Sequence, residues 1–181
     1  MRPVEDGLAR AVRRSAVDGR SRLVKQALAL PVYTNQRAAY DALDAKTKER
    51  VEGLNGIHSA ALGYSKQGMY GEKDVGRSMS IVCSDDALAQ QTHPLVKKHP
   101  ETGRNALFLS PGYTIGIEGL DHAESRALLM QLFAHQAQPE FVYRHRWSVN
   151  MLTMWDNRSV NHAATGGYDG HARLLQRITI V

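Results

Sequence analysis

Apolar and polar positions along the 181 residues follow two periods, and the changes between them mark most of the elements. From Asn35 to Leu54, the residues Tyr40, Leu43, Val51 and Leu54 form a helical stripe that breaks near Asp44, predicting two helices in succession. Asp121 followed by Glu124 has the spacing of a capping box, and Leu128, Leu129, Leu132 and Phe133 then share one face of a helix reaching about His135. Most of the second half alternates with period two instead. In PEFVYRHRW, Phe141, Tyr143, His145 and Trp147 oppose Val142, Arg144 and Arg146. ETGR reads as a turn, ALFL as a short apolar strand, and SPG as the turn into YTIGIEGL, which is the grammar of hairpins. A further strand runs from Asn150 to Trp155. Over Arg173–Val181, Arg173, Leu175, Arg177 and Thr179 lie on one face, with Leu174, Gln176, Ile178 and Ile180 on the other. Strands with one inserted helix predict a mainly β, α+β chain, nearer to a jelly roll than to a doubly wound sheet.

Two stretches break these periods. GYSKQGMYGEKDVGRS, punctuated by glycines 63, 68, 71 and 76, reads as a long loop; it is either a surface excursion or, given Tyr64 and Tyr70, a lid. It lacks the Gly-Lys-Ser/Thr of a phosphate loop. Residues 1–31 carry small and basic residues in which only Leu23, Ala27 and Leu30 suggest a fragmentary helix.

Composition narrows the function classes. With 43% apolar and 23% charged residues the chain is of ordinary globular make-up, and one domain is the expectation at this length. No apolar run reaches spanning length and no cleavage pattern follows the arginine-rich start, so no membrane partner is expected and the cytoplasm is the expected compartment. The formal net charge is +5, but residues 1–31 hold seven Lys/Arg and three Asp/Glu, so the basicity belongs to that leader. The leader has no aromatic residue on which bases could stack, which argues against a nucleic-acid partner. A single cysteine, Cys83, excludes an internal disulfide and a cysteine metal cage.

The densest chemistry lies between Trp155 and Arg177. Arg173 and Arg177 point the same way from their strand, and in a cavity each guanidinium requires an anion, for which carboxylates and sulfonates suit its fork. His162, eleven residues before Arg173, either converges with them or sits on a surface turn beside a solvated arginine edge. The other histidines read more plainly. His145, on the aromatic face of its strand, is expected to be buried and hydrogen-bonded; His122 is expected on the surface; and His93 and His99, six apart and each before proline, are not expected to share a metal.

WDNR, a histidine four residues after that arginine, and arginines eleven and fifteen residues beyond the histidine together resemble the C-terminal signature of the taurine dioxygenase family of iron(II)/2-oxoglutarate oxygenases. HPETGRNALFLSPGYT and PEFVYRHRW resemble it too, and the likeness runs from about Tyr33 to Val181. The resemblance implies an incomplete double-stranded β-helix, or jelly roll, over residues 32–181. It implies that His162 is one histidine of a two-histidine, one-carboxylate Fe(2+) site, that Arg173 clamps the distal carboxylate of 2-oxoglutarate, and that Arg177 meets the acidic group of the substrate. Tyr113, in SPGYT, falls at an aromatic position of the substrate wall, although core packing accounts for a tyrosine there equally well.

The implied reaction oxidises a small sulfonate, sulfate ester or carboxylate with O2, releasing succinate and CO2. The family's other two ligands come from a His-x-Asp or His-x-Glu motif upstream of a Gly-Gly-Asp-Thr turn. Here Leu28-Ala29-Leu30-Pro31 stands at that turn, and the first 57 residues contain no histidine. The expectation is therefore a shortened or altered chain lacking two iron ligands, with a catalytically inactive remnant that binds small organic acids as the alternative. A third reading places function in the basic arm. Unpaired strand edges raise a further expectation, association into a homo-oligomer.

Overall fold

Extended segments appear where the sequence alternates, and each is short because a turn former soon follows. The computed structural model describes residues 9–11, 31–71, 81–148 and 151–165, which divide into two compact units. The first comprises residues up to 41, 98–106 and those from 136 onward; the second comprises 42–97 and 107–135.

In the first unit β1 (Ala9–Ala11) pairs antiparallel with β9 (Thr153–Trp155). Residues 9–11, in a stretch whose sequence suggests a broken helix, are thus a strand. β2 (Val32–Asn35) is the centre of a three-stranded antiparallel sheet, flanked by β8 (Val142–Arg144) and β10 (Val160–Ala163). A 3-10 turn at Pro139–Phe141 leads into β8, so the strand is shorter than the alternation of PEFVYRHRW predicts; a proline at its start cannot donate to a ladder. Helix α1 (Gln36–Asp41) follows β2 directly. The Asn35 Oδ1 accepts from the amides of Arg37 and Ala38 at 3.2 and 3.1 Å, which satisfies two of the helix's orphan donors. Tyr33 and Trp155, both buried, form the apolar centre, with Val160 packed on them.

The second unit begins with α2 (Ala45–Val51), the second of the two helices expected around Asp44. Asp44 is its cap: one carboxylate oxygen accepts from the Thr47 amide at 2.9 Å and the other from the Thr47 hydroxyl at 2.7 Å. These hydrogen bonds hold the Asp44 carboxyl below its ordinary range. A second antiparallel sheet has β3 (Asn55–Ser59) between β4 (Gln90–Pro94) and β7 (Thr114–Ile117), with a register shift at Ile57/His58. Helix α3 (Ala61–Tyr64) occupies the start of the glycine-rich run, which therefore is not loop throughout. Helix α4 (His122–Gln136) carries Leu128, Leu129 and Leu132 on its buried face. Asp121 caps it, accepting from the Glu124 amide at 2.8 Å as the capping-box spacing predicts. The hairpin of β5 (Val96–Lys98) and β6 (Asn105–Leu107) is divided between the units, residues 98–106 going with the first.

The described sheets do not close into a barrel. Among the described residues no helix is long and apolar enough to cross a membrane.

Candidate functional site

His162 is a strand residue, which removes the reading that places it on a surface turn. It lies directly opposite Tyr33, and Tyr33 lies opposite Tyr143, so the three side chains share one face of the β10–β2–β8 sheet. The imidazole is half-buried, with its centroid 4.9 Å from the Tyr33 ring and 5.0 Å from the Trp155 indole. Tyr33 and Trp155 meet edge to face at 5.2 Å, so each ring limits the tilt of the others. On the same face lies a cavity of about 340 Å³ walled by Tyr33, Phe141, Tyr143, Trp155 and Val160. The buried Ser159 hydroxyl also lines it, and has no hydrogen-bond partner among the described residues.

The turn that delivers β10 is held by a network not anticipated from the sequence. Asp156 and His99 are both buried, and His99 Nε2 lies 2.8 Å from Asp156 Oδ2. The amides of Glu101 and Thr102 donate to His99 Nδ1, each at 3.3 Å, so Nε2 carries the proton shared with the carboxylate. Arg158 closes the other side: its amide and Nε donate to Asp156 Oδ1 at 2.8 and 3.0 Å, and its Nη2 reaches Oδ2 at 2.8 Å. Burial pushes the Asp156 carboxyl up, but the hydrogen bonds from Arg158 and then His99 outweigh it and hold the group below the ordinary carboxylate range. A buried His–Asp pair has the composition of a general base. Here Nδ1 faces backbone amides and the side chain is only 1% exposed, so the pair fastens the turn and reaches no substrate. Both motifs are visible in the sequence as HPETGR and WDNR. Their contact is not, because 57 residues separate the partners.

His145 is buried as expected, its Nε2 3.2 Å from the Thr153 hydroxyl. His122 is exposed. Tyr113 belongs to the second unit, in the turn before β7, and is 44% exposed, so core packing does not account for it. Arg173 and Arg177 lie outside the described residues.

An iron site of two histidines and a carboxylate is not fitted by the described residues. His162 is the histidine the resemblance implies for it, Asp156 is committed to His99 and Arg158, and no group of three or more His, Cys, Asp or Glu among the described residues could hold a metal ion.

Comparison with known proteins gives consistent matches. The family described as taurine catabolism dioxygenase TauD, TfdA family matches residues 31–179. The alpha-ketoglutarate-dependent 2,4-dichlorophenoxyacetate dioxygenase of Cupriavidus pinatubonensis is 39% identical over 148 residues, covering 81% of this chain and 48% of the relative. The (S)-phenoxypropionate/alpha-ketoglutarate-dioxygenase of Sphingobium herbicidovorans is 40% identical over 133 residues, covering 74% of this chain and 45% of that protein. The chain thus spans about half the length of the curated relatives it matches. Among solved structures, AAD-2 in complex with Mn(II) and N-oxalylglycine superposes with a TM-score of 0.73 at 29% identity, over 99% of this chain and 64% of that one. A taurine dioxygenase from Burkholderia xenovorans gives 0.62 at 28% identity, over 94% of this chain and 48% of that one.

Proposed function

This chain belongs to the TauD/TfdA family of 2-oxoglutarate-dependent dioxygenases, and on that premise we propose that its ligands are 2-oxoglutarate and a small organic acid that the family's chemistry oxidises. The match across residues 31–179 carries the reading, because it spans His162, Arg173 and Arg177 together. In this assignment His162 offers an imidazole to iron(II), and the Tyr33 and Trp155 rings fix the plane in which it does so. Arg173 binds the distal carboxylate of 2-oxoglutarate, Arg177 binds the acidic group of the substrate, and Tyr113 forms part of the wall against which the substrate lies. Iron(II) with 2-oxoglutarate supplies the power to oxidise an unactivated C–H bond. The residues of this chain supply placement.

Carboxylates, sulfonates and sulfate esters all suit Arg177. Two relatives are named for aryloxyalkanoates and a third, from Schizosaccharomyces pombe, for a sulfonate, which makes the aryloxy acids the first class to test.

A second reading is favoured by the donor set: among the described residues no three His, Cys, Asp or Glu side chains could hold a metal ion together, and one imidazole does not hold iron in a defined geometry, so in this reading the chain binds the two acids without oxidising either. One experiment separates the two. Purified chain is incubated with iron(II), ascorbate, 2-oxoglutarate and a panel of phenoxyacetates, alkyl sulfonates and sulfate esters, and succinate is measured alongside calorimetric binding of 2-oxoglutarate. Binding that Arg173→Ala abolishes, without substrate-dependent succinate, is the expected result. Succinate that disappears in His162→Ala overturns the second reading, and absence of Arg173-dependent binding overturns the first.

A further inference from the structure

Of the two aromatic residues in the glycine-rich run, Tyr64 packs on Tyr113 and Tyr70 packs on Tyr64. Tyr64 lies nearly parallel to Tyr113, with an interplanar angle of 15° and centroids 6.4 Å apart, and Tyr70 meets Tyr64 edge to face at 5.3 Å. We infer that Tyr64 and Tyr70 are specificity-determining residues which, with Tyr113, form an aromatic shelf for the ring of a small aryloxy carboxylate.

The shelf is built rather than incidental. The Ser59 amide donates to the Tyr113 carbonyl at 2.8 Å, and the Ser59 hydroxyl, buried, donates to the Ala87 carbonyl at 2.9 Å while accepting from the Ala61 amide at 3.2 Å. One serine thereby ties together the Tyr113 turn, the start of α3 and the 3-10 helix at Asp85–Leu88. Tyr64 is the last residue of α3; its amide donates to Ala60 and its carbonyl accepts from Ser84. The run then folds back, with the Met69 and Tyr70 amides donating to Leu62 and Gly63 at 2.9 and 3.0 Å, and the Cys83 thiol donating to the Tyr70 carbonyl at 3.0 Å. This return needs glycines: a Cβ on Gly68 meets the Ala61 and Gly63 carbonyl oxygens at 2.8 Å, and one on Gly71 collides with the Lys66 carbonyl oxygen. Two rings are thus held beside a third that is 44% exposed. Loose lids seldom place side chains this way; the arrangement suits a fixed surface for a flat ligand.

The inference rests on the assignment of Tyr113 to the substrate wall and adds to it the reason for preferring an aryl ring. An alkyl sulfonate has no π face to lay against Tyr64. A saturated ring of the same size fills the space without the quadrupole match.

The test uses the whole chain in ligand-observed NMR titrations with phenoxyacetate, cyclohexyloxyacetate and 2-aminoethanesulfonate. Phenoxyacetate is expected to bind about 3- to 10-fold more tightly than cyclohexyloxyacetate. That preference is expected to vanish in Tyr64→Leu, shrink in Tyr70→Leu and survive in Tyr64→Phe. Nuclear Overhauser contacts from the phenoxy protons to the Tyr64 and Tyr70 rings of the unaltered chain provide a readout independent of how the variants fold. No preference for the aryl acid, or no such contacts, overturns the shelf. In parallel, 2-oxoglutarate is titrated into the unaltered chain and Arg173→Ala. Arg173-dependent binding without an aryl preference sinks the shelf alone, whereas loss of both sinks the assignment beneath it.

Discussion

Each unit sets a histidine among rings on a three-stranded antiparallel sheet, His162 on the edge strand β10 and His58 on the central strand β3, but the charges around the two are arranged oppositely. In the first, His162 lies between Tyr33 and Trp155, and the nearby turn buries an aspartate satisfied by Arg158 and His99. In the second, His58 packs 5.3 Å from His93 and 5.7 Å from Phe108, while the Lys97 ammonium sits 3.6 Å from the Phe108 centroid. Three groups that carry positive charge when protonated thus surround one phenyl ring. Burial, and then the charges of His93 and Lys97, lower the His58 pKa; burial and Lys97 lower that of His93; and burial lowers that of Lys97. The first unit gains from a charge it has neutralised. The second is at ease only while its imidazoles remain neutral.

That contrast can be broken most forcefully through the cores. Leu132 is fully buried on α4, and Leu132→Ala should cost about 2–5 kcal/mol of stability by leaving a cavity. Hydrogen exchange then shows whether protection falls in β3, β4 and β7 while β2, β8 and β10 hold. Uniform loss across both sheets would mean that the units unfold as one.

Asp156→Ala attacks the first unit at its turn. It strands the buried His99 Nε2–H and removes the charged contacts of Arg158, a loss of roughly 3 kcal/mol. Asp156→Asn, which keeps an acceptor for His99, should lose less. Urea denaturation that ranks the two variants equally would show that the charge adds nothing to the hydrogen bond.

Acid should separate the units by the pH at which each weakens. For His58 and His93 the folded state binds protons less readily than the unfolded chain, so their contribution is complete above the unfolded value near 6.5 and declines as pH falls through the lower folded values. Asp156, depressed from 3.8, contributes above that value and loses its contribution only as pH falls below the ordinary carboxylate range. Amide protection in β3 and β4 is therefore expected to fall as the pH drops below about 6.5 while that of β10 is unchanged, and His93→Gln should flatten the response. Loss of protection in β10 over the same interval would contradict the division.

The smallest effect belongs to the surface. Lys66 and Asp85 pair at 2.6 Å, but both side chains are more than half exposed, and Lys66→Ala should change stability by under about 0.5 kcal/mol. A larger change in thermal denaturation would mean that this pair helps hold the glycine-rich run in place.

Local signals were legible in the sequence. The break at Asp44, the capping box at Asp121, the buried face of α4 and the ETGR turn of the β5–β6 hairpin follow from nearest-neighbour hydrogen bonds and periodicity, which act within a few residues, whereas the SPG turn leads into β7, which pairs with β3 and makes no hairpin with β6. The compound pattern of His162 with WDNR and the two arginines carried the family, since a fixed spacing of several polar residues is legible whether or not its geometry is seen. What the pattern could not supply was anything depending on partners distant in the chain. The ring stack of Tyr33, Trp155 and His162 requires β2 to pair with β10 across more than 120 residues. The binding of Asp156 by His99, and the packing of Tyr64 on Tyr113 and of Tyr70 on Tyr64, likewise exist only once loops are closed and backbone amides have claimed their acceptors. Composition and period determine which residues want to be buried or paired; only tertiary closure determines with whom, because the entropy of bringing distant segments together is offset by contacts that no local stretch makes alone.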